Sequence, residues 1–414
     1  MKTNHKFYLF ILIMNFCLSG FIFSQNDSIM TLDAKGSYNL SGMDYSPNDL
    51  KIAAGYDLKI IIWDAITGNP LDTINNVGRN ITVNYSHDGS MIVSSVDSTP
   101  ELYNANTGVL LKTLPGGKPL EKWDVMIGVS FSHDDKKIIG CYTDSTVAIW
   151  DVNTGELIRR FRAHDNAVED ALFSLDDSKI ISCSYDSTIK IWDANTFELL
   201  KTIKGHNNKI LRLAISPDGK KFASCSADST FKLWDFKTGE LIRTFYGHKR
   251  EVRSIVFSPN GTKILSGSYD ETVKLWDVAS GKLLHTFVHN APVYYVRYSP
   301  DSLRVASAGN FEKIIIWKVP GITDVEEHIY LPREDLIISP NPATDYIELS
   351  IPPSNKSGSG AVSVKIYDVL GVEQHVSFTA TPLSEGNLRL DVSSLPAGVY
   401  FVRVGEQMLK FVKL

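Results

Sequence analysis

Apolar and polar residues alternate along most of the chain in short runs broken by Gly, Asn, Asp and Pro. The stretch "VRSIVFSP" (252–259) alternates with period two, "NGT" breaks it, and "KILSGS" resumes it. "TVKLWDV" (272–278), "ASG" and "KLLHTF" (282–287) follow. Period-two runs bounded by turn residues predict four short antiparallel strands within these 36 residues, 252–287. The same pattern recurs. "GSYDETVKLWD" (267–277) is nearly repeated by "CYTDSTVAIWD" (141–151), "CSYDSTIKIWD" (183–193) and "CSADSTFKLWD" (225–235). An active site needs its residues once, whereas a segment copied this often builds architecture.

Trp63, Trp150, Trp192, Trp234, Trp276 and Trp317 mark the repeat, with Tyr103 filling the gap after Trp63. Those seven markers are 40, 47, 42, 42, 42 and 41 residues apart. A period of 40–45 with Trp-Asp endings is the signature of four-stranded blades set around an axis. No blade can bury both faces alone, and stacking neighbours does so. On these residues the segment from about 28 to 320 resembles the WD40 β-propeller family. The expected fold is all-β, a seven-bladed propeller over 25–320 followed by a small antiparallel β-sandwich.

That resemblance implies a hydrogen-bonded chain of His, Ser, Asp and Trp in each complete blade. The fourth repeat supplies His164, Ser182, Asp186 and Trp192, and the fifth His206, Ser224, Asp228 and Trp234. The sixth supplies His248, Ser266, Asp270 and Trp276. Asp57, Asp97 and Asp144 keep the Asp position in the first three repeats, but Lys122 takes the His position in the third. In the seventh, His289 lies 22 residues before Phe311, so the Asp is missing. Blades 1, 2, 3 and 7 are therefore expected to rest more on apolar packing. The resemblance also implies that "SIMTLDAKG" (28–36), which is similar to "LIRTFYGHK" (241–249), closes the ring by pairing Ser28–Ala34 with the strand around Trp317.

Cys141, Cys183 and Cys225 each stand three residues before the repeat's Asp, where other repeats carry Ala54, Ser94, Gly267 and Ala308. Every occupant is small. Equivalent positions on stacked sheets lie roughly 10 Å apart, beyond disulfide reach, so free buried thiols are expected.

The termini differ from the repeats. Lys2 and Lys6 precede an apolar run, Phe7–Met14, and small residues follow. The run is short of the roughly 20 residues a spanning helix needs, so 1–24 reads as a secretory signal peptide. The mature chain is expected to lack an integral membrane segment. Residues 321–337 read as a linker. Residues 338–414 hold "SPNPATD", "VKIYDVLG" and "LPAGVYFVRV" in that order, then a Lys-containing final strand. This order resembles the type A C-terminal sorting domain of the type IX secretion system of Bacteroidota. The resemblance implies recognition by that secretion machinery after Sec-dependent export to the periplasm. The chain would end up secreted or attached to the outer cell surface.

Composition narrows the function. Apolar content of 43% and charged content of 21% suit a folded globular chain. A net charge of −5 with no basic block speaks against a nucleic-acid partner. No HExxH, CxxC, nucleophile-elbow or phosphate-cradling motif occurs in the repeats, so no cofactor or metal is expected. His87 and His133 sit in turns and are expected to be solvated.

In the family, partners often contact three positions per blade on the top face. These positions map to Tyr56, Tyr185 and Tyr269 before the Asp, and to Arg79, Glu169, Lys209, Glu251, Arg253 and Tyr294 beside the inner strand. Tyr and Arg are enriched at interfaces, and these positions are expected to be exposed. A five-residue insertion, within "LPGGKPLEKWDVM" (114–126), adds Trp123. The expectation is a non-catalytic binding or scaffold protein taking a protein, peptide or glycan on that face. Two alternatives stay open. One is a secreted hydrolase or lyase with carboxylates at the axial channel, and the other a surface protein serving attachment or gliding.

Overall fold

A computed structural model describes residues 28–34, 40–75, 80–96, 98–115, 125–309 and 313–320. It also describes 337–339, 346–350, 364–368, 373–374, 381–382, 387–396, 398–404 and 407–413. The signal-peptide segment, Arg79, Asp97, Lys122, Trp123, Phe311 and most of the linker lie outside the described residues. The chain divides into two compact units, the first ending at Gly321 and the second beginning at Ile322. All regular elements among the described residues are strands.

The first unit is a seven-bladed propeller, each blade a four-stranded antiparallel sheet. Blade 6 shows the design: Val252–Phe257 innermost, then Lys263–Ser268, Thr272–Asp277 and Leu283–Val288 outermost. The second strand is buried almost throughout, whereas the outermost strand buries only Phe287. Blades stack through their faces. Phe231 and Phe245 of blade 5 meet Trp276 of blade 6 at ring distances of 5.4 and 5.8 Å. The ring closes as expected, with Ser28–Asp33 pairing antiparallel with Lys313–Lys318, Ser28 opposite Trp317 and Leu32 opposite Ile314. Residues 35 and 36 of the closing segment lie outside the description.

Blades 4, 5 and 6 carry the complete polar chain. In blade 5, His206 Nδ1 is 2.8 Å from Asp228 Oδ2 and Nε2 is 2.8 Å from Ser224 Oγ. Trp234 Nε1 donates to the same Ser224 Oγ at 2.8 Å. Blades 4 and 6 repeat this within 0.2 Å. A buried carboxylate and indole are thereby both satisfied. Burial pushes the Asp228 carboxyl up, but hydrogen bonds from His206 and Thr230 outweigh it and hold the group far below the usual carboxylate range. A depressed native pKa contributes stability above the unfolded value near 3.8 that is lost as pH falls. Asp228→Ala should cost about 3 kcal/mol at pH 7 and measurably less at pH 3, where the loss has begun but is not complete because the native pKa lies lower still. Urea melts at both pH values check this, and an equal loss at both would contradict it.

Blade 3 corrects the expectation of apolar packing. Arg160 reaches from the outer strand and places Nη2 2.5 Å from Asp144 Oδ2. Its Nε donates to Thr146 Oγ1 at 3.1 Å, and its guanidinium lies 4.3 Å over the Tyr142 ring. Gly140 stands where the tetrad Ser would be, so Trp150 Nε1 donates to the Pro115 carbonyl at 3.0 Å. The register gives the reason. Lys190, Lys232 and Lys274 pair across strands with Thr202, Thr244 and Thr286, whereas blade 3 pairs Ala148 with Arg160. The cation has moved one strand outward into the space that Ala148 leaves. Blade 7 keeps half of the chain: Trp317 Nε1 donates to Ser307 Oγ at 2.6 Å. His289 is buried against Trp317, and its ring nitrogens have no hydrogen-bond partner among the described residues. In blade 1, Trp63 packs edge-on against Tyr56, and in blade 2 the Tyr103 hydroxyl bonds Glu101.

The three cysteines are free and buried. Cys183 Sγ lies 3.7 Å from the Ile210 carbonyl on the inner strand of the next blade, which is why the position tolerates little volume. At Gly267 an added Cβ would come within 2.7 Å of Val293. In blades 1 and 2 the turn between second and third strands is one residue shorter. Trp63 pairs with Ile52 and Tyr103 with Ile92, eleven residues apart, against twelve for Trp192 and Ile180.

The second unit contains two four-stranded antiparallel sheets. One centres on Tyr346–Ser350 and Asn387–Asp391, and the other on Val364–Asp368 and Gly398–Val404.

Candidate functional site

The top face is the end where each outer strand passes to the next inner strand and where the second and third strands turn. In blades 3 to 6 the ladder is bulged there. Ile127, Glu169, Leu211 and Arg253 are each skipped between paired neighbours. A bulge re-aims the extra side chain, and in blades 4 and 6 that side chain is charged.

Arg253 is the centre of the resulting cluster. Its guanidinium lies 5.3 Å from the Tyr269 ring and 5.6 Å from the Tyr294 ring, and the two rings are 5.0 Å apart. Arg250 also approaches this group, 5.7 Å from the Tyr269 ring, with Nη1 donating to the Tyr269 carbonyl at 3.3 Å. In blades 4 and 5, Lys209 Nζ sits 4.1 Å over the Tyr185 ring. Burial raises the Tyr185 pKa, Glu169 adds to it, and Arg253 opposes it, so the two halves of the cluster meet at this hydroxyl. Glu251 adds to the Tyr269 environment in the same sense, behind burial and Tyr294.

Two positions differ from the expected exposure. Tyr56 is buried in the core of blades 1 and 7. The short hairpin of blade 1 is the cause, because Tyr56 pairs directly with Lys59 and is drawn into the sheet, while Tyr185 lies beyond Ser184 in the turn. Glu169 is also buried, 3.6 Å from Arg212. Lys209 is exposed, and Tyr185, Glu251, Arg253, Tyr269 and Tyr294 are half-buried. Sequence reasoning passed over Arg250, Arg212 and Tyr295. Arg212 stands on an inner strand at the position Gly128 and Ser254 occupy elsewhere, and that change of size and charge was the available signal.

A family model for the WD domain, G-beta repeat, matches residues 108–151, 155–193, 197–235, 239–277 and 281–317. A second, for a secretion system C-terminal sorting domain, matches 338–413. The chain is a WD40-repeat propeller with a C-terminal sorting domain. The yeast (Saccharomyces cerevisiae) protein described as COMPASS component SWD3 is 28% identical over 120 residues, 28% of this chain. The chain spans 38% of that relative's length. The matched repeats fall on blades 3 to 7. Two further blades of the same design, with inner strands Gly42–Tyr45 and Asn80–Tyr85, complete the WD40 ring. A WD40 propeller is commonly a scaffold for protein interactions, and the sorting domain marks the chain for export by type IX secretion to the cell surface or beyond.

The WD40 inner strands also bring charge toward the axis. Asp170 is half-buried and accepts the Ala171 and Leu213 amides, both at 3.0 Å. Burial raises its pKa and Arg212 opposes the rise. Arg212 Nη1 donates to the Glu169 carbonyl at 3.0 Å. Opposite, Arg297 Nε donates to Asp44 Oδ1 at 3.2 Å, and Asp44 Oδ2 accepts the Tyr85 amide at 3.1 Å. These carboxylates tie one blade to the next. Among the described residues no group of three or more His, Cys, Asp or Glu is placed to hold a metal ion. No helix among them is long and apolar enough to cross a membrane.

On the opposite face the turns interlock. Asp135 Oδ1 and Oδ2 accept the His87 and Asp88 amides at 2.9 Å, and Asp177 does the same for His133 and Asp134. His87 Nδ1 also contacts Asp135 at 2.9 Å, and its ring lies 4.6 Å from that of His133. The turn histidines thus belong to a seam between blades.

Proposed function

We propose that this is a non-catalytic binding protein that holds a partner protein on the top face of blades 4 to 7. The Sec pathway takes it to the periplasm under residues 1–24, and the sorting domain takes it across the outer membrane. The observation behind this reading is the Arg253, Tyr269, Tyr294, Tyr185 and Lys209 cluster. It is partly open to solvent and built from residue types that dominate binding energy at interfaces. The tetrads explain the repeated polar residues, whereas nothing in propeller stability calls for these five.

The purified protein should retain at least one protein from the host's cell-surface fraction. The variant Tyr185→Ala, Tyr269→Ala, Arg253→Ala should lose that protein by more than about tenfold, since hot-spot truncations cost about 2 kcal/mol or more. Its melt should stay close to wild type. Equal retention by both forms would refute the top-face assignment.

A further inference from the structure

We infer that the top-face cluster selects a carboxylate-rich segment of its partner, with Arg253 as the anchor; this rests on the binding reading above. Three observations lead there. First, the tyrosine faces are already covered. Lys209 caps Tyr185 at 4.1 Å, and Arg253 lies against Tyr269 and Tyr294. A sugar ring would need an open aromatic face to stack on, and an apolar side chain would need an uncharged one. Cation–π pairing takes the cation-side face of each ring from both while holding the cations in place.

Second, these cations lack carboxylate partners. Among the described residues, none of Lys209, Arg250 and Arg253 forms a salt bridge, while Arg160, Arg212, Arg297 and Arg304 all do. Glu169 is engaged by Arg212. Asp186 and Asp270 are held by His164 and His248, so among the described residues Lys209, Arg250 and Arg253 outnumber Glu251 and the patch stays positive. An Arg stacked on aromatic rings keeps its N–H edge free and pre-oriented for a forked carboxylate contact, and little rotamer freedom is left to lose on binding.

Third, the tyrosine hydroxyls are donors. A phenol is protonated at neutral pH and can donate to a carboxylate, and the Tyr185 hydroxyl already meets one in Glu169. The cluster therefore offers charge and donors, but no open apolar surface.

The test uses the full chain and three labelled probes followed by fluorescence anisotropy. They are a twelve-residue Glu/Gly peptide, its Gln/Gly counterpart, and an oligogalacturonate of equal charge. The Glu peptide should bind at least about tenfold more tightly than the Gln peptide, and binding should weaken as salt rises from about 0.05 to 0.5 M. Arg253→Met, which keeps most of the side-chain volume, should weaken it about tenfold, and Lys209→Met by less. Melting temperatures of both variants should match wild type. Equal binding of Glu and Gln peptides would overturn the inference. Tighter binding of oligogalacturonate would overturn the peptide assignment in favour of an acidic glycan. Partner capture that the triple variant loses but Arg253→Met keeps would overturn the acidic anchor alone and leave the binding reading standing. Loss of neither would sink both.

Discussion

Arg304→Met is expected to destabilise the propeller by about 3–5 kcal/mol, because it leaves two acids facing each other without their cation. Arg304 Nη2 donates to Asp49 Oδ2 at 2.6 Å and to Asp301 Oδ2 at 3.3 Å, and Nη1 donates to the Ala65 carbonyl at 2.6 Å. The guanidinium is 11% exposed and Asp49 16%, so solvent screens the contact little. Asp49 belongs to blade 1 and Asp301 to blade 7, so the loss falls on the seam where the ring closes. Burial and the neighbouring Asp301 push the Asp49 carboxyl up to about 8, while Asp301, bonded to it and to Arg304, is lowered against its own burial. A carboxyl with a raised native pKa binds more protons folded than unfolded between about 4 and 8. Its favourable contribution is present at low pH and lost as pH rises through about 8. Removing the guanidinium raises the native value further, so the deficit should be smaller at pH 5 than at pH 8.5. Urea melts of wild type and variant at both pH values measure this. A deficit below about 1 kcal/mol, or one indifferent to pH, would show that the seam does not depend on Arg304. This trend runs opposite to that of the tetrad acids, so the two can be separated by pH alone.

Deleting residues 28–34 should have an effect of similar or greater size. The closing strand buries Leu32 completely and Ala34 nearly so, and Met30 packs on the same cluster as Ile314 and Ile316. Burial of such side chains contributes roughly 1.5–3 kcal/mol each, and each ladder hydrogen bond about 1 kcal/mol. The total comes to about 5 kcal/mol, which for a unit this large lowers the melting temperature by roughly 10–20 °C. Deletion also bares the edge of Lys313–Lys318, an unpaired strand prone to association. Calorimetry and light scattering of the truncated chain should therefore show an early, aggregating transition. An unchanged melt would mean that blade 7 is stable with three strands.

Much of this molecule was legible before folding. Strand alternation and turn residues act over a few neighbours, so the seven markers located seven blades. The intervals of 22 and 6 residues identified three complete tetrads, because both lie within one repeat. The small residues at the cysteine position showed in the same way. The order of motifs after residue 338 was sufficient to name the sorting domain.

What folding alone decided lies across strands or across blades. Whether Arg160 would replace a missing His depended on its standing opposite Ala148, a cross-strand register. Whether Tyr56 and Glu169 would face solvent depended on a hairpin one residue shorter and on a bulge beside Arg212. Arg304 meets Asp49 across 255 residues of chain, and Arg253 meets Tyr269 and Tyr294 from adjoining blades. The sequence by itself determined the repeat, the ring and its polar braces, since each is written within about 42 residues. The tertiary structure decided which cations are paired and which remain open, because pairing depends on distances that exist only once the ring has closed.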